Sequence, residues 1–249
     1  MQATSSPSSS SQQQQDVEGA APAPSALSSR LEAATAVLWD VDGTLADSTQ
    51  LGFTSTNAVL AEAGWNTITL ADYEQGTRHP TPQRLAWHAT GDTAAACGLV
   101  LGAAFDRHYI ALVSTTTAGF YPGIPALVAA ITAAGKPQTV LSNACGEYAR
   151  AVVRVNGAAA HMMRVDGADD APAPKPAPDG LLAQCRAFGW PPEACVYVGD
   201  SPSDGAAAAA AGMMSVGCTW GAHSTAQCQG AFDVLVDSPE HLAKLLLGG

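Results

Sequence analysis

The first chemical signal in the chain is a pair of carboxylates in Val37-Leu38-Trp39-Asp40-Val41-Asp42-Gly43-Thr44. An apolar run that breaks into acid, hydrophobe, acid and glycine reads as a buried strand entering a turn. Side chains two apart on a strand share a face, so Asp40 and Asp42 are expected to enter one pocket at the strand's carboxyl end. Two acids that close repel each other unless a metal ion keeps one ionised or a proton neutralises the other. Both arrangements serve catalysis. An Asp-rich turn that merely ends a strand is the plain alternative, and only later motifs can decide between the two.

The remaining sequence must position that pair. Residues 1–34 are Ser, Gln, Ala and Pro with few large apolar side chains, so a disordered tail is expected. A plastid transit peptide is the functional alternative, but Asp16, Glu18 and the absence of a base before Arg30 speak for a plain tail and a cytoplasmic location. Helical spacing runs over 48–63, 71–76, 81–90 and 103–115, with breaks at Gly64, Gly76, Pro80, Pro82, Gly91 and Gly98, so an all-helical insert is expected over 49–118. From Tyr121 helices and strands alternate: strands at 138–141, 162–165, 195–198, 213–216 and 232–236, helices between them, and a closing helix at 239–247. Alternation of this kind implies an α/β fold with a parallel sheet covered on both faces, a Rossmann-like three-layer core over 35–48 and 119–249. Such sheets bind ligands at the carboxyl ends of their strands.

Composition limits the partners. The 249 residues are 47% apolar, enough for a substantial core, and the net charge of −11 argues against nucleic acid and anionic membranes as partners. An anionic substrate would have to be drawn by a local metal, a lysine and aimed backbone dipoles. Cys97, Cys145, Cys185, Cys195, Cys218 and Cys228 form no Cys-x-x-Cys pair and no zinc spacing, so a reducing compartment is expected. No apolar stretch approaches the ~20 residues that cross a bilayer, so a soluble protein is expected.

Further polar groups fall at the strand ends or in adjoining loops. They make four ordered motifs: Asp40-Val41-Asp42-Gly43-Thr44, Leu141-Ser142-Asn143, Lys175-Pro176-Ala177-Pro178-Asp179-Gly180 and Val198-Gly199-Asp200-Ser201-Pro202-Ser203-Asp204. In this order the chain resembles the haloacid dehalogenase superfamily of phosphohydrolases over about 35–240, with the helical insert as a cap of the first type. The Lys175 motif and Trp220-Gly221-Ala222-His223-Ser224 look like phosphoglycolate-phosphatase-type members.

The resemblance implies a Mg²⁺-dependent phosphatase acting on a small phosphoester. Asp40 would be the nucleophile and form an aspartyl-phosphate, and Asp42 the acid/base. Mg²⁺ would be held by Asp40, the backbone carbonyl of Asp42, and Asp200, with Asp204 as a ligand or a neighbour of one. Lys175 would offset the charge of Asp40, while Ser142 and the N–H of Asn143 would hold phosphoryl oxygens. Asp42 points to a phosphoester, because family dehalogenases have no acid there. Thr44 leans toward hydrolysis over the phosphosugar mutases of the same superfamily, which usually carry a hydrophobe at that position. A catalytically silent scaffold would have lost a motif residue, and none is missing. For the leaving group, Arg78, His79 or Arg84 of the cap could grip an anion or hydroxyl, with solvated cap residues as the alternative. Trp65, Trp87, His88 and Tyr109 read as cap core, and Cys145, near a helix start, as a possible redox handle or a small filler.

Overall fold

In a computed structural model the described residues are 24–248. The expected tail over 1–23 lies outside them. Residues 24–34, expected to belong to that tail, do not: α1 (Pro24–Glu32) buries Leu31 completely, packs on the last helix of the chain, and accepts a hydrogen bond from Lys136 Nζ at the Glu32 carbonyl. Leu27 and Leu31, one turn apart, give this polar segment its single apolar edge.

After α1 come β1 (Ala36–Trp39), β2 (Ala46–Asp47) and the helices α2 (Thr49–Glu62), α3 (Leu70–Gly76), α4 (Thr81–Thr90) and α5 (Cys97–Ala111). β3 (Gly119–Phe120) pairs antiparallel with β2, so two short strands clasp the points where the chain leaves for the helical insert and returns from it. Then follow α6 (Ile124–Ala133), β4 (Gln138–Leu141), α7 (Gly146–Val155), β5 (Met162–Asp166), α8 (Asp179–Phe188), β6 (Cys195–Gly199), α9 (Pro202–Ala211), β7 (Met214–Cys218), α10 (Thr225–Cys228), β8 (Val234–Val236) and α11 (Pro239–Leu247). The clasp and α10 are too short to leave a periodic pattern in the sequence. The other elements fall where helical and strand spacing put them, except that α5 begins at Cys97 rather than near 103.

The main sheet has six parallel strands in the order β5-β4-β1-β6-β7-β8. β1 lies near its centre, with Trp39 level with Val140 on one side and Val198 on the other. Val37, Trp39, Val196 and Val198 pack into one core with residues of α6, α7 and α11. Ala36, Leu38, Cys195 and Tyr197 turn to a second core with residues of α8 and α9. Alternate residues of the same strands thus serve opposite layers, and helices cover both faces. Asp40 continues the Leu38 side and so emerges on the face that Tyr197 occupies.

Trp65, expected in the cap core, is 40% exposed. It follows Gly64, whose φ of +77° ends α2, and the chain leaves the helix there before the indole can turn inward.

The docking of α1 has a direct test. Leu31→Ala is expected to lower the unfolding free energy by about 2–5 kcal/mol in urea titrations, the usual cost of emptying a buried leucine site. A change below about 0.5 kcal/mol, within the usual range for surface positions, would mean that α1 does not dock.

Candidate active site

At the carboxyl edge of the sheet, Lys175 ties the motifs together. Its ammonium donates to Asp40 Oδ1 at 2.7 Å, the Tyr197 hydroxyl at 2.8 Å and the Leu141 carbonyl at 3.2 Å, and forms an ion pair with Asp204 Oδ1 at 2.7 Å. Tyr197 itself donates to the Leu141 carbonyl at 2.8 Å. Lys175 is only 4% exposed, and burial alone would push its pKa down; the Asp204 and Asp40 carboxylates overcome this and hold it well above the ordinary lysine value. The ammonium therefore stays charged throughout the range in which proteins are folded.

The Lys175 loop is itself held. The Asn143 side chain accepts from the Lys175 N–H at 2.8 Å and donates to the Lys175 carbonyl at 3.0 Å. The side chain of Asn143 is thus spent on placing the lysine, and only its backbone N–H remains for a ligand. Ser142, directly after β4, accepts the Ala144 N–H on its Oγ at 3.0 Å and keeps its own hydroxyl proton to donate.

Asp40, Asp200 and Asp204 each present an oxygen within 4.8 Å of the others, and all three residues are buried. Burial first, and then the Asp204 charge, push the Asp40 carboxyl well above its ordinary pKa, even against the lowering effect of Lys175. Asp200 is raised by burial as well, although His223 and the Ala222 N–H, which bond its Oδ2 at 3.4 and 2.9 Å, work the other way. One ammonium is thus too little positive charge for the carboxylates gathered here. A hard divalent cation fits the donor set: clustered oxygens, no competing sulfur or imidazole in the group, and carboxylates that would be ionised by its arrival. Asp204 is the least available of the three, since Oδ1 faces Lys175 and Oδ2 accepts the Ser201 N–H at 2.9 Å and the Ser201 hydroxyl at 2.7 Å in a capping box at the start of α9. The Ser201-x-x-Asp204 spacing carries this second duty in the sequence.

Gly43 and Gly221 give the cluster its space. Gly43 has φ +77°, and a Cβ there would stand 2.2 Å from Asp200 Oδ2; one on Gly221 would stand 2.3 Å from the Gly43 carbonyl. Trp220 donates from its indole to the Thr44 carbonyl at 3.0 Å, which fixes the Trp220–His223 segment over the turn. Thr44 is fully buried, and its hydroxyl meets the Cys218 thiol at 3.7 Å. Thr44 therefore lies in the underpinning of the turn, its hydroxyl against Cys218 and its carbonyl held by Trp220.

Asp42 stands apart from the cluster. Its Oδ1 accepts three hydrogen bonds, from Ser48 Oγ at 2.5 Å, the Tyr148 hydroxyl at 2.7 Å and the Tyr109 hydroxyl at 2.9 Å. Tyr109 comes from α5 of the cap and Tyr148 from α7 of the core, and their rings stack with centroids 3.8 Å apart. Tyr109 is thus not simply cap core. The expectation missed it because a phenol and a phenyl ring leave the same periodic trace.

Arg78 and His79 are not brought to this edge: Arg78 is exposed, donates to His79 Nε2 at 3.1 Å and lies over Trp87. Arg84 is the buried cap cation, 5% exposed, with its guanidinium 4.6 Å from the centroid of Phe105 and 5.0 Å from that of Tyr73. No carboxylate lies within 4.0 Å of it among the described residues. Phe105 precedes Tyr109 by one turn of α5, so Arg84 sits on the side of the cap that faces the core.

The chain matches the model of the haloacid dehalogenase-like hydrolases over residues 34–212. It is 34% identical over 211 residues to a phosphoglycolate phosphatase of Xylella fastidiosa, covering 84% of this chain and 91% of that one. Among solved structures, CbbY from Rhodobacter sphaeroides in complex with phosphate superposes with a TM-score of 0.71 at 26% identity, over 84% of this chain and 96% of the other. A mutant of CbbY in complex with xylulose-1,5-bisphosphate gives a TM-score of 0.70 at 25% identity, over 83% and 95%. The chain belongs to the haloacid dehalogenase-like hydrolases and is a phosphoric monoester hydrolase of that family. Among the described residues no helix is long and apolar enough to cross a membrane.

Cys145, at the start of α7, departs from the redox handle considered above. Burial, with the nearby Asp106, Asp169 and Glu147 carboxylates, pushes its thiol up to about 11 against the opposing Tyr148 N–H. At pH 8 roughly one such thiol in a thousand is ionised, so alkylation by iodoacetamide, followed by mass spectrometry, is expected to be slow at Cys145 and to accelerate only as the pH approaches 11. Rapid labelling at pH 7 would contradict this environment.

Proposed function

We propose that the chain hydrolyses a small phosphomonoester, phosphoglycolate or a sugar phosphate, through a phosphoryl group carried on Asp40. The observation that carries this reading is the buried Lys175 ammonium on Asp40 Oδ1, which leaves Oδ2 of the same carboxylate without a hydrogen-bond partner among the described residues. Asp40 Oδ2 is then the atom that attacks phosphorus, while Lys175 keeps the carboxylate oriented and offsets its charge against the incoming phosphate. Ser142 Oγ and the N–H of Asn143 hold phosphoryl oxygens at the neighbouring strand end. Asp42 gives a proton to the departing alkoxide and later takes one from the water that releases phosphate, a contribution of about 10²–10⁴-fold in such reactions.

Mg²⁺ is the proposed cofactor, held by Asp40, Asp200 and the backbone carbonyl of Asp42, with Asp204 beside them. When bound, it would supply the remaining positive charge that the carboxylates and the phosphoryl oxygens require. The helical insert over 49–118 acts as a cap that selects the leaving group. Arg84, a buried guanidinium with no carboxylate partner among the described residues, suits a second anionic group on the substrate. The name of the Xylella relative supports phosphoglycolate, which carries such a carboxylate.

The test is phosphate release from a panel of small phosphoesters with Mg²⁺, comparing the intact chain with Asp40→Asn. The variant is expected to keep its circular dichroism and to lose at least about 10³-fold in kcat, since it lacks the nucleophile. Borohydride quenching of the intact enzyme during turnover should convert residue 40 to homoserine. Hydrolysis by Asp40→Asn at the parental rate would overturn the covalent mechanism, and isomer interconversion without net phosphate release would favour a mutase.

A further inference from the structure

Three donors converge on one oxygen of Asp42 and none on the other among the described residues. Ser48 belongs to the segment by which the chain enters the cap, Tyr109 to a cap helix and Tyr148 to a core helix. Stacking alone does not explain this arrangement, since two phenylalanines would stack as well. Both hydroxyls are carried into an interior where Tyr148 is fully buried and Tyr109 is 4% exposed, and both end on the same carboxylate oxygen. Both phenols donate to that oxygen, Tyr148 at 2.7 Å and Tyr109 at 2.9 Å.

We propose that Tyr109 is a positioning residue through which the cap orients the acid of the reaction: with Tyr148 and Ser48 it reserves Asp42 Oδ1 as an acceptor and leaves Oδ2 to carry the exchanged proton. In the first step Asp40 Oδ2 bonds to phosphorus as the bond from phosphorus to the ester oxygen breaks; the electron pair of the broken bond stays on the ester oxygen, and the proton on Asp42 Oδ2 moves to it. Asp42 is left ionised, with the new charge shared onto an oxygen already facing three donors. In the second step water bonds to phosphorus and gives a proton to Asp42 Oδ2, while the bond from phosphorus to Asp40 Oδ2 breaks with its electron pair on Asp40, so phosphate leaves and the starting state returns. Because one of the three donors comes from α5 of the insert, loss of its hydroxyl releases Asp42 from part of its hold. The inference rests on the reading of Asp42 as the general acid.

Aryl phosphates of nearly equal shape separate positioning from packing, because p-nitrophenolate departs with little help from a proton and phenolate needs more. The measurement is kcat/KM, which ends at release of the alcohol, for phenyl phosphate and p-nitrophenyl phosphate with the full chain and Mg²⁺. Tyr109→Phe keeps the ring stack and removes only the hydroxyl. It is expected to lower kcat/KM for phenyl phosphate at least about 10-fold and for p-nitrophenyl phosphate by less than about 3-fold, part of the whole effect of the acid. Tyr148→Phe should shift the ratio in the same direction and serves if the first variant folds poorly. Equal losses on both esters, or none on either, would overturn the role of Tyr109. Asp42→Asn is the control: if it splits the two esters and the tyrosine variants do not, only this inference fails. If Asp42→Asn leaves the ratio unchanged, the reading of Asp42 as the acid fails first. Absence of turnover of both esters by the intact chain would count against the phosphomonoesterase reading itself.

Discussion

A single ammonium buried among carboxylates is the constraint to which the rest of the site answers. Lys175 bridges Asp40 and Asp204, and Asp200 stands close enough to share an ion with both. Removing charges from water is costly, and a buried pair repays that cost only with good geometry and further hydrogen bonds. Here those are present: Tyr197 and the Leu141 carbonyl complete the lysine, Ser201 completes Asp204, and Ala222 with His223 completes Asp200. The net balance is still negative. Burial first, and then the charge of the neighbouring carboxylates, raises the pKa of Asp40 and Asp200. A site in this condition is poised for a cation and for an anion brought with it.

The fold makes such crowding possible because the charges arrive on different elements. β1, β4 and β6 are neighbours in the sheet, and each is followed by a polar residue at the same edge, which puts Asp40, Ser142 and Asp200 side by side at the strand ends. Lys175 reaches them from a loop fixed by Asn143, and Gly43 and Gly221 leave room where any side chain would strike Asp200 or the backbone. The cap joins this edge through the stacked Tyr109 and Tyr148, so the second acid is held by residues of both parts of the molecule. The proposed chemistry asks for one carboxylate free to attack and another held for proton transfer. The structure gives Asp40 and Asp42 different surroundings, consistent with that division of labour.

Much of this was legible in the sequence. Strand alternation puts Asp40 on the Leu38 side, and strands alternating with helices predict a parallel sheet whose carboxyl edge gathers Asp40, Ser142 and Asp200. What periodicity could not carry was the use of side chains whose apolar bodies hide a polar tip. Tyr109, Tyr148 and Tyr197 scan as core, yet each hydroxyl ends at a charged group of the site. Residue type alone does not separate Arg78, His79 and Arg84 as anion-gripping candidates; Arg84, inside a helix with an apolar flank, is the one that buries its cation, stacked on Tyr73 and Phe105. The tail was overextended because Ser and Ala dominate 24–34, and two leucines one turn apart suffice to dock α1 once α11 offers a surface.

Asp40, Asp200 and Asp204 crowd the single ammonium of Lys175, and the proposed role of a divalent cation is to relieve their repulsion. Isothermal titration of Mg²⁺ into metal-free protein tests it most directly, with Asp200→Asn beside the intact chain. One ion is expected to bind per chain, with binding weakened by at least about tenfold in the variant, the loss expected when a charged ligand becomes neutral. Absence of binding to the intact chain, or equal affinity in the two proteins, would contradict it.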